Sequence, residues 1–374
     1  MGNIGARPTN KLDASDDVLS QKRVSSLNER INILTRFLEQ EDAGALYLQS
    51  GTNGPNDRTD GEDVNKPEGD VTQEKAESQE RLSECWKPTE MLIKDVGFAA
   101  QLVVGAESDM ARIERCIRVF DEQFSVGFVQ LCVNGKLPVP RFSFRSSSVV
   151  TVSTLRSWYE AAKKEQLIIS SSEGKPCHKF VDSFFSADGL QMTRGGGLEF
   201  DAWHGLVRMS FLLEDNENGW DRMLQLPIPP QMSRFNFTSY DLRRPTLITV
   251  DFQQNSLEVF FLNRTELTPA VVAEMLGHHD MLQPDDNRFL FSCTSAVVIG
   301  FSFRWGEYLL DRLLFVRAGI PLSDICAAQV STLSAFAARV PSRLAPTQQF
   351  FTLFYIFGRT GAYLRLECDY GGHL

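Results

Sequence analysis

From Tyr363 onward the chain alternates strictly. Tyr363, Arg365, Glu367 and Asp369 fall on one face of an extended strand, and Leu364, Leu366 and Cys368 on the other. The same alternation recurs upstream. Arg141, Ser143 and Arg145 oppose Phe142 and Phe144, while Arg208 and Ser210 oppose Val207, Met209 and Phe211. Glu258 and Phe260 oppose Leu257, Val259 and Phe261; Ser302 and Arg304 oppose Phe301, Phe303 and Trp305. Arg312 sits within Asp311-Arg-Leu-Leu-Phe315. One such strand would be read as a sheet with its charged side in water. Repeated on strands this apolar, the pattern places the aromatic and aliphatic faces under helices and turns the arginine face inward, into a closed barrel.

The elements between these strands support that reading. Met110, Ile113, Ile117, Phe120 and Phe124 form one stripe of a helix over 110–124. Val126–Val133 and Arg141–Ser147 follow as strands around Asn134-Gly135. Helices are predicted near 151–164 and 177–186, strands near 205–213 and 221–226, and a short helix after Pro229. Strands near 246–252 and 257–262, a helix over Pro269–Leu276, and strands near 289–304 and 308–317 come next. A helix over 321–338 and strands near 348–357 and 362–369 complete the chain. Helix pairs alternate with hairpins, and no Gly-rich phosphate loop opens a helix. The fold class expected is α+β, an antiparallel barrel of about ten strands ringed by helices.

Charge and composition divide the chain. Residues 51–84 hold ten acidic and four basic residues and no aromatic, the composition of a disordered acidic linker. Ahead of it, Val24, Leu27, Ile31, Leu34 and Leu38 mark an amphipathic helix over about 24–40, read as packing back on its own protein. Residues 1–88 form an N-terminal extension with 11 basic and 17 acidic residues, and 89–374, the barrel, carries 27 and 31. The net charge of -10 argues against a nucleic-acid binder. The seven cysteines contain no CxxC pair, and no run of about 18 apolar residues occurs, so a cytoplasmic, monomeric protein with no membrane partner is expected. A lumen lined by arginines, which repel one another, implies an anionic ligand such as a phosphate or diphosphate. His278-His279-Asp280 cannot easily converge on one metal from a helix end, and Thr193-Arg-Gly-Gly-Gly197 lacks the Lys-Ser/Thr of a phosphate loop.

Four collinear stretches carry a resemblance: Phe357-Gly-Arg-Thr-Gly-Ala-Tyr-Leu-Arg-Leu-Glu-Cys-Asp-Tyr370, Val250-Asp-Phe-Gln-Gln-Asn-Ser-Leu-Glu-Val-Phe-Phe261, Asp311-Arg-Leu-Leu-Phe315, and Val207-Arg-Met-Ser-Phe-Leu-Leu213 with Leu226-Pro-Ile-Pro-Pro230. Over about Val96 to Tyr370 the chain resembles the soluble ABBA aromatic prenyltransferases of the clorobiocin and naphterpin pathways, built from repeated αββα units. The resemblance implies transfer of a prenyl group, dimethylallyl in this reading, from an allylic diphosphate to a carbon of a phenolic or related aromatic acceptor. It implies that Arg208, Arg312 and Arg365 hold the diphosphate and that Glu367 faces the acceptor. Arg141 falls where Mg²⁺-dependent members carry an aspartate, so the chain is similar to the metal-independent branch, with no cofactor. Glu258 departs from the asparagine usual there, and Thr246 from an acceptor-binding arginine. Arg145 and Arg304 join the diphosphate ligands, and Ser210, Glu258, Phe260, Ser302, Tyr355 and Tyr363 line the expected prenyl and acceptor pocket. Two alternatives stay open: a noncatalytic anion- or lipid-binding barrel, and a transferase of the same fold with an indole or other heteroaromatic acceptor.

Overall fold

The computed structural model describes residues 88–371 apart from 104–107, 136–138, 147–149, 169–173, 187–192, 214–216, 243–244, 285–286, 328–330 and 345–348. The helix expected at 24–40 and the linker at 51–84 lie outside the described residues.

Ten strands form one closed antiparallel barrel: β1 (Phe128–Asn134), β2 (Arg141–Arg145), β3 (Thr193–Asp201), β4 (Gly205–Leu213), β5 (Pro245–Asp251), β6 (Ser256–Leu262), β7 (Val298–Arg304), β8 (Arg312–Ile320), β9 (Phe351–Gly358) and β10 (Gly361–Gly371). Each strand pairs with its neighbours in sequence, and β1 pairs with β10 to close the ring. Closure leaves no unpaired edge for another chain to extend. Because up and down strands alternate, all five hairpin turns lie at one end, the turn end. The helical connections lie at the other, the helix end.

Two separate apolar clusters follow from the period-2 pattern. The larger lies between barrel and helices and takes the outward face of every strand, as with Leu257, Val259 and Phe261 of β6. Helix Val152–Lys164 contributes Leu155, Trp158, Tyr159 and Ala162, and helix Pro176–Ser186 contributes Phe180, Phe184 and Phe185. The smaller cluster lies inside the barrel: Phe260, Leu314, Val316, Phe354 and Ile356, with Leu247, Val298 and Tyr363 against it. Each fully buried aromatic removed from water stabilises the fold by about 1.5–3 kcal/mol.

Four elements differ from the sequence-based expectation. Residues 217–223 are helical, and the partner of β4 is the stretch 193–201, whose glycines hid it. A β-carbon at Gly196 would stand 2.5 Å from the carbonyl of Ser210, and one at Gly197 2.4 Å from that of Phe144. Both glycines therefore serve close strand packing. The long strand expected near 289–304 is a helix, Asn287–Cys293, followed by β7. Helix Pro88–Gln101 had no counterpart in the pattern reading; Asp95 on it binds Tyr370 of β10 at 2.7 Å and the Arg343 guanidinium at 2.5 Å.

Candidate active site

The inward faces of the strands bring Arg141, Arg145, Arg208, Arg304, Arg312 and Arg365 into one lumen, as the sequence predicted. The expected mutual repulsion is absent, because carboxylates stand between them. Glu199 of β3 joins two arginines, accepting from Arg141 Nη1 at 2.9 Å and Arg365 Nη2 at 2.6 Å. Asp251 of β5 accepts from Arg208 Nε at 2.8 Å, and Glu258 Oε1 from Arg208 Nη2 at 3.0 Å. Glu367 Oε1 accepts from Arg365 Nη2 at 2.6 Å, and its Oε2 from Arg145 at 3.4 Å. Asp311 lies 3.2 Å from Arg312 and 3.3 Å from Arg304 at the turn end.

Sequence reasoning missed Glu199, Asp201 and Asp251. Leu198-Glu-Phe-Asp201 alternates as clearly as the other strands, but its three preceding glycines read as a loop. Asp201 is capped by the backbone N–H groups of Trp203 and His204, at 2.8 and 3.0 Å, in the β3–β4 turn. Asp251 accepts from the backbone N–H of Gln254 at 2.7 Å in the β5–β6 turn. That same turn supplies two amides. Gln253 accepts from Arg141 at 2.9 Å, and Gln254 accepts from Arg312 at 3.1 Å and Arg304 at 3.3 Å.

Electrostatics separates these acids. Burial disfavours ionisation of Glu199, but Arg365, Arg208 and Arg141 overcome it and hold its carboxyl far below the ordinary range. Burial likewise works against Asp251, and Arg208 and Arg141 prevail, pulling it down. At Glu258 burial wins: Arg208 pulls down, Asp251 pushes up, and the carboxyl ends above its ordinary range. Burial also pushes up the Cys132 thiol, which shares the inward face of β1 beside Glu367.

The described residues leave several deeply buried polar atoms of this lumen without a hydrogen-bond partner: Arg365 Nε and Nη1, Arg304 Nε, Glu258 Oε2 and Ser302 Oγ among them. Unpaired buried guanidinium N–H groups are costly, and an anion is the ligand that satisfies them. Arg365 also carries the transition between the polar and apolar halves, since its Cζ lies 5.2 Å from the centre of the Phe354 ring.

The remaining expected residues fall as follows. Ser210 bonds Thr249 across β4 and β5 at 2.9 Å. Ser302 lies between Glu258 and Arg312 on the ladder. Tyr363 accepts from Arg312 at 3.1 Å, and Phe260 lies in the inner cluster. Tyr355 is a correction. The period of β9 turns Phe354 and Ile356 inward and Tyr355 outward, where its ring packs edge-on against Phe289, 6.0 Å between centres. Phe354, not Tyr355, is the aromatic wall. Glu367 faces the lumen, and the salt bridge to Arg365 that would give it a structural role is present.

A family model described as aromatic prenyltransferase Orf2 matches residues 89–374. No protein of curated function matches the chain by sequence. Among solved structures, a 5-dimethylallyltryptophan synthase from Streptomyces coelicolor is similar with 12% identity and a TM-score of 0.50, over 75% of this chain and 95% of its own. A 6-dimethylallyl tryptophan synthase is similar with 11% identity and a TM-score of 0.51, over 76% and 96%. Such low identities speak to the arrangement of strands and helices alone.

Proposed function

Since the chain belongs to the Orf2 family of aromatic prenyltransferases, we propose that its lumen moves a dimethylallyl group from dimethylallyl diphosphate to a ring carbon of a phenolic acceptor, without Mg²⁺. The observation that carries this reading is Arg365, whose Nε and Nη1 are buried without partners among the described residues, beside the apolar inner cluster. Diphosphate oxygens satisfy those N–H groups, and the prenyl tail lies on Phe260, Phe354 and Ile356. The scissile carbon–oxygen bond then falls where guanidinium meets aromatic ring.

The chemistry follows from that placement. The carbon–oxygen bond breaks heterolytically, and the electron pair leaves with the diphosphate. Arg365, Arg312 and Arg208 stabilise the growing charge; a single donor of this kind is worth about 10²–10³ in rate. The Phe354 and Phe260 rings exclude water from the allylic cation and offer it their π faces. A π pair of the acceptor ring forms the new carbon–carbon bond, and the ring carbon then loses its proton to the released diphosphate, which restores the aromatic ring. Among the described residues Glu367 Oε2 has one long contact, to half-exposed Arg145, and retains capacity to accept from an acceptor hydroxyl. Arg141 supports metal independence, because it and Arg365 already neutralise Glu199 from two sides.

Incubation with dimethylallyl diphosphate and a panel of phenols, naphthols and indoles, with and without EDTA, tests the reading. Prenylated phenol with EDTA present is the expected result. Product from indoles alone corrects the acceptor, dependence on added Mg²⁺ corrects the metal, and tight donor binding without any product overturns the transfer.

A further inference from the structure

Arg208 is one guanidinium held between two carboxylates, Asp251 at 2.8 Å and Glu258 at 3.0 Å, all three buried. Two adjacent carboxylates cannot both stay ionised cheaply on one cation in a site closed to water. The surroundings decide which one gives way. Asp251 has, besides Arg208, the Gln254 backbone N–H on its other oxygen and Arg141 and Arg312 nearby. Glu258 Oε1 accepts from Arg208, while Oε2 is buried with no partner among the described residues. A carboxylate oxygen left so is an unsatisfied charge; a carboxylic acid with its O–H on that atom is a donor awaiting an acceptor. Next to it on the ladder, Ser302 Oγ is buried and equally unpartnered.

We infer that Glu258 rests as a neutral carboxylic acid and that its Oε2–H is a hydrogen-bond donor to the donor's diphosphate. The inference rests on the proposed diphosphate site. It also resolves the charge balance of the lumen. Among the described residues, Arg141, Arg145, Arg208, Arg304, Arg312 and Arg365 face Glu199, Asp201, Asp251, Glu258, Asp311 and Glu367, with Asp369 further along the same face of β10, so these six cations meet at least as many carboxyl groups. One proton on Glu258 removes a negative charge from the path of the incoming anion and replaces a repulsion with a hydrogen bond. The charged groups facing Glu258 are Arg208 on β4, Asp251 on β5, Arg312 on β8 and Arg365 on β10, with Arg304 on β7 beside Ser256. Burial raises the Glu258 carboxyl against the pull of Arg208, in the same sense. A raised carboxyl binds its proton below its folded-state pKa and loses it as pH rises through that value, so diphosphate affinity should fall toward alkaline pH.

The test uses the full chain and needs no acceptor. Infrared spectra at about pH 7, where an ordinary carboxyl is ionised, should show a protonated-carboxyl C=O band that disappears in Glu258→Gln. Calorimetry with inorganic pyrophosphate should show wild-type affinity falling at least about tenfold from neutral to alkaline pH, the equivalent of about 1.4 kcal/mol. The Glu258→Gln affinity should lack this fall and follow only the ionisation of pyrophosphate itself, because the amide keeps a donor that does not titrate. Asp251→Asn should keep the band. A wild type with no such band overturns the inference whatever its activity, and this readout needs no variant to fold. So does a pH profile shared by wild type and Glu258→Gln, or a Glu258→Gln variant that binds pyrophosphate about tenfold tighter at every pH. A band present with no pyrophosphate binding instead removes the diphosphate site itself, and with it the donor role given to the acid.

Discussion

Gly300 tests whether the inner apolar cluster is a binding surface or a filled core. It faces inward on β7, opposite Phe260 of β6. A β-carbon there would stand 2.6 and 2.7 Å from Cε1 and Cδ1 of Phe260 and 3.2 Å from Cβ of Leu314. Carbon atoms in contact rest about 3.5–4.0 Å apart, so Gly300→Ala requires the ring to give by about 1 Å. The sheet blocks movement outward and the new methyl blocks movement toward Leu314, so the ring must turn into the lumen on the side of Leu247. If that volume receives the prenyl tail, it is open before the donor arrives and the displacement costs less than about 1 kcal/mol. The bound tail then competes with the ring. Thermal melting of Gly300→Ala should fall by less than about 3 °C, while the donor KM rises about tenfold. A solidly packed lumen gives the reverse: overpacking costs about 1–3 kcal/mol, melting falls by about 2–4 °C for each, and donor KM is unchanged. That second pattern refutes the placement of the tail.

Other expectations follow from the charged half. Arg365→Gln should lower kcat by about 10²-fold or more through loss of the leaving-group donor. It should also lower stability, by less than the 3–5 kcal/mol typical of a broken buried pair, because Arg141 and Arg145 still hold Glu199 and Glu367; full activity in steady-state kinetics would count against the site. Glu367→Gln should cut turnover while donor KM stays within about twofold, and a parallel loss of donor affinity would make it only a brace for Arg365. Glu199 and Asp251 titrate below the ordinary range despite burial, because guanidiniums flank them. Such groups contribute stability above the unfolded carboxyl pKa and lose it as pH falls through the folded one. Denaturant melts should therefore weaken below about pH 4, and less steeply in Glu199→Gln; identical slopes would contradict the ion-pair assignment.

Where side chains alternate with period 2, the sequence carries the barrel plainly. The inward faces of Arg141-Phe-Ser-Phe-Arg145, Arg312 and Tyr363-to-Asp369 could be read before any coordinate, and every arginine so identified reaches the lumen. Two kinds of information were not local. The three glycines of β3 erase the apolar signal of a strand, two of them, Gly196 and Gly197, serving close approach to Ser210 and Phe144, and with β3 unseen Glu199 and Asp201 went unpaired with their arginines. Face assignment failed at Tyr355, expected in the prenyl and acceptor pocket, because the register of β9 gives the inward place to Phe354. Charge compensation is a property of side chains that share the lumen, and pairs far apart in sequence, such as Glu199 of β3 and Arg365 of β10, meet only because the barrel closes.

The account depends most directly on where a donor analogue sits. A crystal structure with a dimethylallyl thiolodiphosphate should place diphosphate oxygens within hydrogen-bond distance of Arg365 Nε and Nη1 and of Glu258 Oε2, with the prenyl tail against Phe260 and Phe354. An analogue bound outside the barrel, or one whose diphosphate avoids Arg365, would contradict it.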